Sequence, residues 1–288
     1  MATLRTIRRR IASIKSTQQI TKAMKMVAAA RLRKAQDRML KARPYARSLD
    51  DTLGHVAAKV DHSLHPLLQD KEPKRVGFVV VTGDRGLCGS FNANIIRRAA
   101  NEMNAARQNG QEIQLLAIGK KGFEFFNRRR YPILEKYVNF FDKLDFRHAQ
   151  DIAALIQDQY VNGKLDRIYL VFNEFKSAIQ QNIVVQQLLP IVPRPPKDEK
   201  YSTEFIFEPS PLKILDNLCL RYLNVEIWQA LLESFAAEMG ARMAAMGAAS
   251  DNAKELIIQL TLYYNKVRQA SITRELMDIV GGAEALKK

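Results

Sequence analysis

The sequence predicts an α/β fold in which a central α/β domain lies between two long helices that pair as an antiparallel coiled coil. Three observations predict it. Both chain ends repeat an apolar or small residue every third or fourth position over long proline-free stretches. Residues 75–208 alternate β-branched runs with helix-like segments, the pattern of a sheet with parallel neighbours. The charge is uneven. The chain of 288 residues carries 45 Lys+Arg and 30 Asp+Glu, a formal net charge of +15, and its first 43 residues hold thirteen basic groups against one acid, Asp37.

The first helix is placed in residues 1–60. No Gly or Pro occurs from Met1 to Arg43, and Pro44 marks the end of that run. Leu4, Ile7, Ile11 and Ile14 form the stripe, which resumes after Gln18 at Thr21, Met24, Ala28, Leu32, Ala35, Met39 and Ala42. Residues 61–74 read as a connector. Val76–Val81 is a buried strand, followed by a helix over Asn92–Gln108, a strand at Ile113–Ile118 and a short helix at Lys120–Arg128. A helix over Arg147–Val161 and a strand at Arg167–Phe172 follow. Asn182–Leu189 and Tyr201–Phe207 are strand-like with no helix between them, so that edge of the sheet is expected to be antiparallel.

The last segment, 209–288, is the second long helix. Pro211 is the last proline, and Met239, Met243, Met246, Ala249, Ala253, Leu256, Leu260, Tyr263, Val267 and Ala270 keep the 3/4 rhythm. An unbroken helix from Leu212 to Val280 would be roughly 100 Å long at ~1.5 Å per residue. Gly281 and Gly282 read as its stop. Two such stripes, rich in small residues and joined by a compact unit that returns the chain, are expected to pack against each other. The alternative is two separate amphipathic helices lying on a globular core.

Candidate chemistry is sparse. Gly83, Gly86 and Gly89 recur in the turn T-G-D-R-G-L-C-G-S-F-N after the first strand, where α/β folds often bind nucleotides. The turn matches neither GxGxxG nor a phosphate loop, so a tight turn is favoured. Cys88 lacks a partner histidine by motif and reads as a small hydrophobe; with Cys219 it makes no disulfide framework. His55, His62, His65 and His148 read as solvated rather than metal-binding. No cofactor and no metal are expected. The basic helix leaves open nucleic acid, a lipid surface or an acidic protein face, and a basic coiled-coil nucleic-acid-binding protein is the alternative function. That helix carries no aromatic residue before Tyr45 to stack on bases, so an acidic protein face fits best.

The opening I-A-S-I-K-S-T-Q-Q-I-T-K-A-M-K-M-V-A-A-A (Ile11–Ala30), the turn D-R-G-L-C-G (Asp84–Gly89), and A-R-M-A-A-M with N-K-V-R-Q-A-S-I-T-R-E-L-M-D-I-V-G-G-A at the end resemble the gamma subunits of F-type proton-translocating ATP synthases. The similarity runs from about Leu4 to about Leu286. It implies a coiled-coil shaft with a Rossmann-like domain at its base. It also implies a non-catalytic rotor stalk that couples proton-driven rotation of the c-ring to catalysis in beta, and regulates ATPase activity and proton flow. The implied partners are the alpha and beta subunits of the hexamer, epsilon and the c-ring, with membrane contact only through the complex and no nucleic acid.

By motif, Met24 and Lys25 correspond to the shaft surface facing an acidic loop of beta, with Arg242 opposite on the second helix. Arg268, Gln269, Thr273 and Glu275 match positions that meet stator loops. The turn around Arg85 and Cys88 is similar to one that approaches beta, and Ile279–Leu286 matches the tip in an apolar bearing. Ser90 and Gln19 stand where the family often has Gly and Lys, and the dithiol insert of chloroplast forms is absent. The motif starts close to Met1, so a bacterial protein on the cytoplasmic face of the inner membrane is expected.

Overall fold

The structure, a computed structural model, describes residues 3–58, 60, 65–177, 180–193 and 210–285. The strand-like run Tyr201–Phe207, along with His62 and Leu286, lies outside the described residues. Two compact units are present: residues 29–242 form one, and residues 1–28 with 243–288 form the other.

The larger unit is built on a five-stranded sheet of order β3-β2-β1-β4-β5. Its strands are β1 (Arg75–Val81), β2 (Glu112–Ile118), β3 (Ile133–Tyr137), β4 (Arg167–Phe175) and β5 (Gln181–Leu189). The first four run parallel, and β5 pairs antiparallel with β4, as the missing intervening helix requires. β1 is uncharged and buried from Val76 to Val81 because both faces of the sheet are covered. On one face Phe78, Val80, Leu115, Ala117 and Val171 pack with Ile95, Ala99 and Met103 of α2 (Phe91–Gln108) and Phe126 of α3 (Lys120–Arg128). α4 (Phe146–Val161) opens with a capping box in which the Asp145 side chain and His148 satisfy the first turn.

β3 is absent from the sequence reading. Its I-L-E-K-Y is a partly exposed edge strand with adjacent charges, which blurs the apolar run. The first helix, α1 (Leu4–Ala57), passes through Pro44 instead of ending there. Proline removes one ladder bond. The buried stripe nevertheless continues through Ala46, Leu49, Leu53 and Val56, so packing outweighs the break. The last helix, α5, spans Pro211–Ala285 and runs through Gly281 and Gly282. Glycine costs about 1 kcal/mol in a helix but keeps its N–H, so a pair of glycines weakens the ladder without cutting it. Between Val225 and Gly240, α5 is covered nearly all round, as expected of a helix surrounded by protein.

In the smaller unit, the beginning of α1 and the end of α5 pair as an antiparallel coiled coil. Ile7, Thr21 and Ala28 are buried from one side, Met246 and Ala253 from the other. Gly247 lets the Lys25 side chain lie against the helix, with Nζ 3.5 Å from where a Cβ would stand. The α1 stripe is the one the sequence indicates. On α5 the phase differs: Leu256 is 46% exposed and Tyr263 49%, and Ala270 is exposed too. Ile257, Tyr264 and Ser271 face the seam in their place. The run 253, 257, 260, 264, 267, 271 is a strict heptad, one residue later than the sequence pattern at 256, 263 and 270.

Candidate functional site

The loop after β1 is where the larger unit concentrates charge. Thr82 is buried at its root; its Oγ1 donates to the Ile118 carbonyl (3.0 Å) and accepts from the Gly122 N–H (2.9 Å). Gly119 sits at φ +89, and a Cβ there would stand 2.0 Å from the Thr82 carbonyl oxygen, so only glycine permits this approach. Asn92 spans the turn: its Oδ1 accepts from the Gly83 N–H (2.8 Å) and its Nδ2 donates to the Arg85 carbonyl (3.2 Å). Asp84 Oδ1 accepts from the backbone N–H groups of Lys120 and Asn139, each at 2.9 Å.

Both long helices are clasped to this turn. Asp142, in the short 3-10 turn Phe141–Lys143, pairs with Arg31 of α1 and with Arg85 of the turn, each at 2.6 Å. Arg242 of α5 pairs with Glu238 and donates to the Gly86 carbonyl (3.3 Å). Glu238 is 4% exposed. Burial raises its pKa, Asp84 and Asp142 add to the shift, and Arg242 opposes it. A Cβ on Gly83 would stand 2.8 Å from the Glu238 carboxyl group.

The glycine turn also borders the crevice at the strand C-termini. In open α/β sheets ligands bind beyond the strand C-termini where the connections diverge, which here is between β1 and β4. β4 pairs with β1 only as far as Val171, so backbone N–H groups beyond it face the crevice. α5 fills that place. Ser234 Oγ accepts from the Asn173 N–H (3.1 Å), and Glu233 Oε2 accepts from the Phe175 N–H (2.8 Å). Glu233 also pairs with Arg43 of α1 (3.1 Å). Two of the backbone N–H groups facing that crevice are thus satisfied by α5.

Of the sequence-derived site residues, Arg85, Cys88 and Arg242 converge here. Cys88 is buried, accepts from Asn92 Nδ2 (3.2 Å), and has its thiol pKa pushed up by burial and by Glu238, which suits a packing residue. The exposed tip of the turn is Leu87, 63% exposed at φ 60, a conformation that L residues avoid. Leu87, Asp142 and Glu238 are absent from the sequence-derived set. Only the apolar residue inside D-R-G-L-C-G signalled the first, the i,i+4 spacing to Arg242 is the local signal for Glu238, and nothing local signals Asp142. Met24 is half-buried and Lys25 exposed on α1. Arg268, Gln269, Thr273 and Glu275 all lie exposed on α5, with Ser271 Oγ donating to Glu275 (3.1 Å). His65 corrects the expectation of a solvated histidine. It is buried, its Nδ1 accepts from the Leu67 N–H (3.2 Å), and its Nε2 meets Asp216 (3.1 Å). Among the described residues no group of acidic, His and Cys side chains is placed to hold a metal, and no helix is long and apolar enough to cross a membrane.

The ATP synthase family model matches residues 3–286. The chain belongs to the ATP synthase gamma-chain family. It is 49% identical over 292 residues to the ATP synthase gamma chain of Chlorobaculum parvum, covering all of both chains. It is also 49% identical over 293 residues to the gamma chain of Heliobacterium modesticaldum, covering 99% of this chain and all of that one. Among solved structures it is similar to a chain of the Tetrahymena thermophila mitochondrial ATP synthase central stalk and c-ring, with TM-score 0.61 and 28% identity over 80% of this chain and 99% of that chain. A chain of the Euglena gracilis mitochondrial ATP synthase rotor shares the fold, with TM-score 0.69 and 20% identity over 93% of this chain and 98% of that chain.

Proposed function

We propose that this chain is the central rotor stalk subunit of an F-type ATP synthase, a non-catalytic part that carries rotation between the membrane c-ring and the catalytic beta subunits. The observation that carries this reading is a sequence that matches a gamma chain over the whole of that chain, with two end helices, of 54 and 75 residues, both tied to the turn after β1. Twisting either helix must disturb packed seams, ladder bonds and the Arg31–Asp142–Arg85 clasp, so the load passes to the sheet. Exposed polar groups suit passing contacts with a stator, because each hydrogen bond is worth about 1 kcal/mol net and forms and breaks readily.

On this reading Met24, Lys25, Arg85 and Arg242 serve the face toward alpha and beta, with Leu87 supplying the exposed apolar tip beside Cys88. Arg268, Gln269, Thr273 and Glu275 meet stator loops, and epsilon and the c-ring bind the base. The chain reaches the membrane only through the complex, on the cytoplasmic face of a bacterial inner membrane. The functional division follows 1–60 and 209–288 for the shaft helices and 75–208 for the base. The test is reconstitution. The purified chain alone is expected to hydrolyse no ATP, and adding it to an alpha–beta hexamer is expected to yield unidirectional rotation of an attached bead. ATPase activity in the chain alone, or a hexamer that ignores it, overturns the reading.

A further inference from the structure

α2 carries two apolar stripes. Phe91, Ile95, Ile96, Ala99, Met103 and Ala106 are buried, and all of these but Phe91 pack in the sheet core. Ala93, Ile96 and Ala100 line the other side, where with Phe125 of α3 they bound a groove of about 550 Å³ between the two helices. Ile96 serves both the core and the groove, Ala93 is exposed, and Ala100 and Phe125 pack against the core yet stay half-buried, so part of this apolar surface is left open. Arg97, Lys121, Arg128 and Arg129 surround the groove. The one acid in the lining, Glu124, is held by Lys121 (3.2 Å) and Lys120 (3.9 Å). Arg97 and Arg128 form no ion pair among the described residues. The rim therefore presents uncompensated positive charge around an apolar floor.

We propose that the α2–α3 groove docks an acidic amphipathic helix from another polypeptide. The floor residues Ala93, Ile96 and Ala100 extend over two helical turns, which matches apolar anchors four residues apart on a docking helix. The two alanines leave room for a leucine or phenylalanine, and the ring of cations selects carboxylates flanking it. Nucleic acid fits poorly. The only ring in the lining, Phe125, has its face covered by the Arg129 guanidinium at 3.7 Å, so no stacking platform is open to a base. The inference does not rest on the rotor reading.

The experiment uses the full chain and a fluorescein-labelled amphipathic peptide with Leu and Phe on one face and Glu on the other, followed by fluorescence anisotropy at several salt concentrations. Saturable binding that weakens with salt is expected. Arg97→Glu with Arg128→Glu should weaken it about tenfold or more, and Ala93→Trp, which fills the groove from an exposed position, should do the same. Arg33→Glu, an exposed charge outside the groove, should leave it unchanged, and circular dichroism melting checks that each variant folds. Absence of saturable binding overturns the proposal. Equal binding by the groove variants, equal binding of a Lys-faced peptide, or displacement by an oligonucleotide through the same residues would each overturn it as well.

Discussion

At the scale of single residues, the turn after β1 depends on groups that cannot be exchanged for near neighbours. Gly83 has no room for a methyl group beside the Glu238 carboxyl. Gly83→Ala should therefore lower unfolding free energy by about 1–3 kcal/mol, measured by urea titration, through overpacking at a buried acid. Asp166 gives a pH-dependent counterpart. Its carboxylate accepts from the N–H groups of Lys74 and Arg75 and from the Arg75 guanidinium, and these bonds hold its pKa below the ordinary range. A depressed carboxyl pKa contributes stability that is present above the unfolded value and lost as pH falls through the folded one. Asp166→Asn should cost about 1–3 kcal/mol at neutral pH. The difference from the parent should shrink as pH drops below about 4, as thermal melts across that range would reveal. The sequence marked Arg85, Cys88 and Arg242 because they fall in recognisable motifs. It was silent on Asp142, whose partner Arg85 is 57 residues away, and on Glu238, which pairs with nearby Arg242 but gets its place at the turn from distant Gly83.

At the scale of elements, what the sequence made legible was periodicity, and what it hid was context. β1, β2 and β4 are buried on both faces and read plainly as apolar runs. β3 is an edge strand whose charges face water, so its pattern resembles a loop. Pro44 is a strong local stop that tertiary packing of Leu49 and Leu53 overrides. The coiled-coil stripe on α5 was found but mis-phased, because L-I-I and L-Y-Y offer two apolar residues at one seam position. This phase is testable in the isolated chain. Ile257→Gln should lower the melting free energy by about 1–2 kcal/mol, as loss of a half-buried aliphatic group implies. Leu256→Gln, at an exposed position, should change it by less than about 0.5 kcal/mol. The reverse order would restore the original phase.

At the scale of the whole molecule, exposure along α5 separates folding from coupling. Gln269 and Thr273 are exposed, so substituting them should hardly affect stability. If they meet a stator, Gln269→Ala and Thr273→Ala should each reduce coupled ATP synthesis in reconstituted vesicles severalfold while melting stays within about 0.5 kcal/mol of the parent. Unchanged synthesis would remove them from the coupling surface. Within the larger unit, α5 is also fixed lengthwise. Apolar seams resist separation well but resist sliding only weakly, because one methyl group replaces another. Ser234 and Glu233 seat on two particular backbone N–H groups, and Glu238 faces Gly83, which has no side chain. An axial slip of a single residue, about 1.5 Å, would unseat all three together. The closed crevice thus acts as an end stop. It holds the helix against thrust along its axis, a load that packing alone would leave to friction.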